Sequence, residues 1–497
     1  MIRSIAPLVA FVCLLAPSRA FSADQWIEVK SANFAVVSNA SDSQTRKLVW
    51  QLEQLRGAMV ALWPWAKADL NKPLSVIAVK DEASMRALAP EFWEQRGSVR
   101  PASVWVTAPD QHYLIVRADL EVNDQGTNSP FISAYFSYVG LVLDQSLDRD
   151  LPWWFKRGFT GVLSNTIVRD DRILIGSPIP WELEILRERP RLRLAELLQV
   201  RRDSAMLKQS DSLQSFDAQS WAFVHFLLFA EQSKRAPMLD AFVKLVSSGK
   251  DAAAAFAEAL GPIEPLEALS FNYIQQQIFS FRQIKIDVSV ERARFPIRKL
   301  SVAESASARA LLHAAMQRPI ESRAAVAEAR KADANAAEAY AAEGLLLDRE
   351  RKVEEARTAF AKAAELGTSN AYIYYRLASL TWQPNPSSQV IDQVDALLDK
   401  AVTRNTRFAA AYAWLGQLRA IKGNKAAVGL LRRAIALEPQ EPSHRIHAAY
   451  GLLALGKAPE ARVEAQAALT LAEDDQHRRE AQSLLERISK TVAAPPR

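Results

Sequence analysis

Thiol chemistry is nearly absent from this chain, whose 497 residues include a single cysteine, Cys13, and only six histidines. Cys13 lies in a segment expected to be removed, so disulfides, a cysteine nucleophile and thiolate metal sites are excluded together. Charge of one sign is also scarce: 62 Lys and Arg face 56 Asp and Glu, a net +6 that makes no nucleic-acid footprint at this length. Glycine is sparse, at 16 residues. Gly451-x4-Gly456-Lys457 approaches a phosphate loop, but Ala458 stands where a magnesium-holding hydroxyl is needed. Long apolar runs are missing except for Ile5 to Ala16, which is shorter than the ~20 residues a bilayer requires.

What is present begins with that run. Arg3 precedes it, and Ser18 and Ala20 follow at the spacing of a cleavage site, so residues 1–20 read as a secretory signal peptide cut after Ala20 or Ala23. An exported chain without disulfides fits a bacterial periplasm, the expected location. No integral membrane segment is expected after cleavage.

Half the residues are apolar and a quarter charged, the balance of a globular protein too long for one core. From 24 to 285 the pattern is mixed. Short β-type runs (Trp26-Lys30, Phe34-Ser38, Leu74-Ala78, Val104-Val106, Tyr113-Val116) surround the helical Gln44-Trp63, and helical periodicity dominates after Pro130. Residues 286–301, which include the basic, Pro-broken ERARFPIRKL, read as a linker. Beyond it, 302–490 is Ala-rich and periodic, with a tail at 491–497.

The period is specific. Ala310, Gly344, Ala378, Gly416 and Ala449 recur at spacings of 34, 34, 38 and 33. Ala329, Ala363, Ala401, Ala434 and Ala468 recur at 34, 38, 33 and 34, with bulky Val326, Phe360, Leu398 and Leu431 between the two sets. One four-residue insertion near 383–388 and one deletion near Gly423 account for the irregular intervals. The pattern resembles a tetratricopeptide array of five units with a capping helix from His477 to Ser489. Such arrays form a superhelix with a concave groove. The resemblance places Tyr372, Tyr375, Arg376, Trp382, Trp414, Gln417, His447 and Tyr450 on that groove, and aromatic and Arg anchors are the residue types that dominate peptide interfaces.

The N-terminal half carries a second resemblance. Its opening Trp26…Val29-Lys30-Ser31-x-Asn33-Phe34, the stretch Leu151-Pro152-x-Trp154-Phe155 before Gly158, Leu194-Ala195-Glu196-Leu197-Leu198, and Phe216-Asp217-Ala218-Gln219-Ser220-Trp221 resemble the peptidase MA-like proteins, exported gluzincin relatives that often carry such repeats. The resemblance implies an α+β gluzincin-like domain followed by an all-α repeat superhelix. Active members hold zinc with H-E-x-x-H on one helix and a Glu on a later one. The matching positions here are Tyr135, Phe136, Val139 and Arg157. No register shift restores the ligands, because no His occurs between His112 and His225 and no Glu between Glu121 and Glu182. Arg stays protonated and cannot ligate zinc. His225, on an apolar helical run, reads as a hydrogen-bonded core histidine.

The resulting expectation is a non-catalytic exported interaction module, with no metal and no cofactor, that holds a protein or peptide partner in the repeat groove. The alternative is a zinc-dependent hydrolase using unrecognised residues. The former cleft, with Tyr135, Phe136, Tyr138, Lys156 and Arg157, is expected either to be filled by its aromatics or to hold an acidic peptide or anion.

Overall fold

The computed structural model describes residues 24–94, 100–120, 128–146, 151–285 and 294–493. The expected signal peptide, the first half of the expected linker and the end of the tail lie outside the described residues.

The chain opens with β1 (Ile27–Lys30) and β2 (Ala35–Ser38), then α1 (Asp42–Leu62), β3 (Leu74–Val79), α2 (Glu82–Leu88), α3 (Glu91–Glu94), β4 (Ser103–Thr107) and β5 (His112–Arg117). The helical part follows with α4 (Ile132–Ser146), α5 (Trp153–Ser164), the short β6 (Ile167–Val168) and β7 (Ile173–Ile175), α6 (Pro180–Glu188) and α7 (Leu194–Gln199). It continues through α8 (Ser210–Ser233), α9 (Ala236–Ser247), α10 (Ala252–Leu260), α11 (Ile263–Ile274) and β8 (Arg282–Ile284). β9 (Ile297–Lys299) returns to the first sheet, whose order is β4-β5-β3-β2-β1-β9. β2, β3 and β5 run parallel, and the outer pairings are antiparallel.

Parallel strands are built to be buried on both faces, and β3 shows it, with Val76, Ile77, Ala78 and Val79 all nearly free of solvent. Val76, Ala78, Leu114 and Val116 belong to the core shared with α1, α4, α5 and α8. Ile77, Val79, Tyr113 and Ile115 belong to a second core that continues into the repeats through Leu311, Phe360 and Leu415. The sheet is thus sandwiched between its own helices and the repeat array.

The segment read as a linker therefore needs correcting. Ile297–Lys299 pairs with β1 as the edge strand, and Leu300 N–H donates to Trp26 O at 2.9 Å. A three-residue edge strand that carries Arg298 and Lys299 looks like a loop in composition, because charge is how exposed edges avoid pairing further.

The repeats are five helix pairs: α12 (Val302–Ala315) with α13 (Pro319–Ala332), α14 (Ala337–Arg349) with α15 (Val353–Glu365), α16 (Ala371–Thr381) with α17 (Ser388–Arg404), α18 (Ala409–Ile421) with α19 (Ala427–Leu437), and α20 (Pro442–Ala454) with α21 (Ala458–Leu471). The capping helix α22 (Asp475–Ala493) closes the row. The periodic alanines are all fully buried. A Cβ on Gly344 would meet the Phe360 ring at 2.4 Å, and one on Gly416 would meet Leu431 at 2.8 Å, so each small residue receives the bulky side chain of its partner helix.

Gly158 plays the same part in the N-terminal half. A Cβ there would lie 2.2 Å from Ser220 O, so α5 touches the α8 backbone. Gly158→Ala is expected to destabilise the protein by roughly 1–3 kcal/mol through overpacking. Gly140→Ala, where a Cβ meets nothing within 4 Å, is expected to be neutral or stabilising by up to about 1 kcal/mol. Paired denaturant titrations check both.

Candidate binding surfaces

Two of the four positions that the sequence resemblance matched to zinc chemistry are packed in the core. Tyr135 and Val139, one turn apart on α4, are fully buried. The Tyr135 hydroxyl donates to Gln51 Oε1 at 2.8 Å, and the Tyr138 hydroxyl to Ala68 O at 3.3 Å. Burial raises the pKa of both phenols. Phenols bonded inward and a guanidinium do not fit zinc. No group of three or more His, Cys, Asp or Glu among the described residues is placed to hold a metal ion.

Phe136 and Arg157 do meet across α4 and α5, with the guanidinium 4.6 Å from the ring centroid. Asp217 on α8 takes the same guanidinium in a two-point pair, with Nε to Oδ1 at 2.7 Å. Lys156 Nζ lies 2.8 Å from Asp144 Oδ1. Both cations expected to attract an anion are committed to protein carboxylates, so the anion pocket is not formed. Sequence reading could not see these partners, which lie 12 and 60 residues away in the chain.

His225 is buried with both ring nitrogens bonded, Nδ1 to the Tyr273 hydroxyl at 2.8 Å and Nε2 to Gly176 O at 2.6 Å. A carbonyl oxygen can only accept, so Nε2 is the donor to Gly176. Desolvation lowers its pKa to about 4. His112, His313 and His447 are also lowered to about 4, chiefly by burial.

Several of the residues named on the repeat groove pack against one another. Trp382 and Trp414 pack edge to face at 5.8 Å, Tyr375 meets Trp414 at 5.8 Å, and Tyr372 lies 6.3 Å from Tyr375. Phe408, just ahead of α18 and outside the motif's groove positions, joins Tyr375 at 5.0 Å. Arg376 is not a free anchor, because Asp348 on α14 holds its guanidinium through two bonds of 2.7 Å. Gln417 and His447 bond each other across α18 and α20. Tyr450 is half-buried and has no ring contact with this aromatic row among the described residues.

A polar cleft of about 870 Å3 lies where the sheet meets the repeats, bounded by Lys72 and Asp110 on one side and Glu338, Tyr372, Arg404 and Glu438 on the other. Asp110 is buried and accepts from Asn370 at 2.9 Å and Tyr113 at 3.1 Å. Asn71 bridges the halves as well, donating to Leu437 O at 2.8 Å and accepting from Asn405 at 3.0 Å.

No protein-family model and no curated protein sequence matches the chain. Among solved structures, YrrB, described as a tetratricopeptide-repeat protein with an unusual peptide-binding site, is 19% identical, covering 36% of this chain and 92% of its own, with a TM-score of 0.31. A thermophilic tetratricopeptide-repeat protein from Thermus thermophilus is 21% identical, covering 37% of this chain and 99% of its own, with a TM-score of 0.27. Tetratricopeptide-like repeats are assigned here on this chain's own helix pairs and their small-to-bulky packing.

The histidines set a pH dependence. Unfolding restores the ordinary pKa near 6.5, so between about 6.5 and 4 the unfolded chain binds more protons and stability falls as pH falls. Full loss of the His225 contribution amounts to about 3 kcal/mol. Denaturant midpoints should drop across this window, and His225→Gln should flatten the slope.

Proposed function

We propose that the chain is an exported, periplasmic, non-catalytic interaction protein in which a peptidase-type fold without its chemistry is joined to repeats that hold a peptide or protein partner. The observation that carries the partner-binding part is the row Tyr372, Tyr375, Trp414 and Trp382, where Trp382 remains 37% exposed. Rigid aromatic side chains supply contact area at small entropic cost and dominate interface energies.

Three observations support the peptidase-type origin. Tyr135 and Val139 share the buried face of α4, Phe136 and Arg157 touch across α4 and α5, and Gly158 lets α5 close on α8. On this reading Tyr135, Val139 and Arg157 stand at the ligand positions of active relatives and Phe136 at that of the general base. Export is supported by the pattern of residues 1–20 and by the lack of any cysteine after Cys13. No helix among the described residues is long and apolar enough to cross a membrane.

Two measurements test the reading. Trp382→Ala with Trp414→Ala should weaken binding to those members of a peptide array that the unaltered chain retains, by about tenfold or more. Unchanged binding, or an array on which nothing is retained, would sink the groove. Stoichiometric zinc in the purified protein, or cleavage of unfolded casein, would instead favour a hydrolase.

A further inference from the structure

The aromatic row on the repeats runs from Tyr372 through Tyr375 and Trp414 to Trp382, with centroid steps of 6.3, 5.8 and 5.8 Å. Both pairs that include Trp414 are edge to face, at 83° and 81°, so the row is ridged and not flat.

Its polar atoms are unpaired. Neither phenol hydroxyl and neither indole N–H in the row has an acceptor among the described residues, and those of Tyr372, Tyr375 and Trp414 are not sealed from solvent. Elsewhere the hydroxyls of Tyr113, Tyr135, Tyr138 and Tyr374 all bond inward. Burial raises the pKa of the Tyr372 and Tyr375 phenols, so both keep their protons at neutral pH. The polar neighbours are already engaged, Arg376 by Asp348 and Gln417 by His447. The row therefore presents four donors, and the cation beside it is paired.

A ligand that suits such a surface supplies acceptors at several points and few donors of its own. An N–H laid against a ring loses its water without gaining an acceptor. Proline meets both conditions, because it has a carbonyl and no N–H. Runs of proline adopt the polyproline II helix, which has no internal hydrogen bonds, leaves its carbonyls free and loses little entropy on binding. At about 3.1 Å per residue, some six residues match the length of the row.

We infer that the ligand of this row is a proline-rich segment of a partner, bound as a polyproline II helix with its carbonyls accepting from the Tyr372, Tyr375, Trp414 and Trp382 donors. The inference rests on the groove reading proposed above and gives it a ligand class.

Calorimetric titration of the full chain with a capped hexaproline peptide and with acetyl-Gly-Leu-Gly-Leu-Gly-Leu-amide tests it. Saturable binding of hexaproline is expected, at least about tenfold tighter than that of the Gly-Leu peptide, and Trp382→Ala with Trp414→Ala should abolish it. Tyr372→Phe with Tyr375→Phe keeps both rings and removes only hydroxyls that bond to no described residue, so affinity for hexaproline should fall about tenfold in a chain that still folds. No saturation by hexaproline, unchanged affinity in the tyrosine variant, or unchanged affinity in the tryptophan variant would each overturn the inference. A Gly-Leu peptide that binds as tightly as hexaproline and is lost with the two tryptophans would overturn it too, while leaving the groove reading intact. A peptide array on which nothing is retained, together with no binding of either peptide, would overturn both.

Discussion

Ile77, Val79, Tyr113 and Ile115 lie on the sheet face opposite α1 and α4, in one core with Met85 and Leu88 of α2 and with Leu311, Phe360 and Leu415 of the repeats. Burying each large aliphatic side chain contributes on the order of 1.5–3 kcal/mol, so this second face is a major stabilising surface for both halves. The repeats gain in the same way, since a repeat array buries its apolar faces only against neighbours and its first pairs use the sheet as one. Polar contacts fix the register of the seam: Asn71 reaches Leu437 and Asn405, Asp110 reaches Asn370, and Arg318 reaches Leu88 O. A truncation near Leu300 would strip the cover from the sheet, so the two halves are not separable reagents.

This sandwich also determines which repeat residues border the sheet. Residues at the start of the first helices, such as Glu304, Glu338 and Tyr372, border the cleft shared with the sheet. Trp382 and Trp414 do not border it. The sheet is met at several inter-repeat loops, at Asn370, Asn405 and Leu437, and Tyr372 at the start of the aromatic row borders the same cleft. Arg376 belongs to the scaffold of that row, because its bond to Asp348 couples α16 to α14.

Legibility in the sequence followed the range of the interactions. The repeats were readable to the residue because small and bulky positions alternate within about 34 residues, and the Gly344–Phe360 and Gly416–Leu431 contacts are local. The strands of the first sheet were readable as β-type runs. Their order was not, since β9 pairs with β1 across some 270 residues. The candidate cleft failed for the same reason. Lys156 and Arg157 looked like free cations because Asp144 and Asp217 reach them only through the packing of α4, α5 and α8. Phe408 was missed because it precedes its helix and lies outside the repeat's groove positions.

Arg157 also bears on the peptidase-type origin proposed above. On the reading proposed above it occupies the place of an acidic metal ligand, and its side chain, about a fifth exposed, is matched by an equally sheltered Asp217. Pairs of this kind contribute little net stability while both members are present, yet removing one leaves the other charge sheltered and unmatched. A carboxylate restored at 157 would face Asp217 with Glu182 close by, and like charges that near cannot all ionise. The added acid would have its pKa raised by these neighbours, and Tyr135 and Val139 would still stand where the proposed origin puts the imidazoles. Arg157 and Asp217 are therefore mutually dependent, and the packing of α5 on α8 rests on charge as well as on shape.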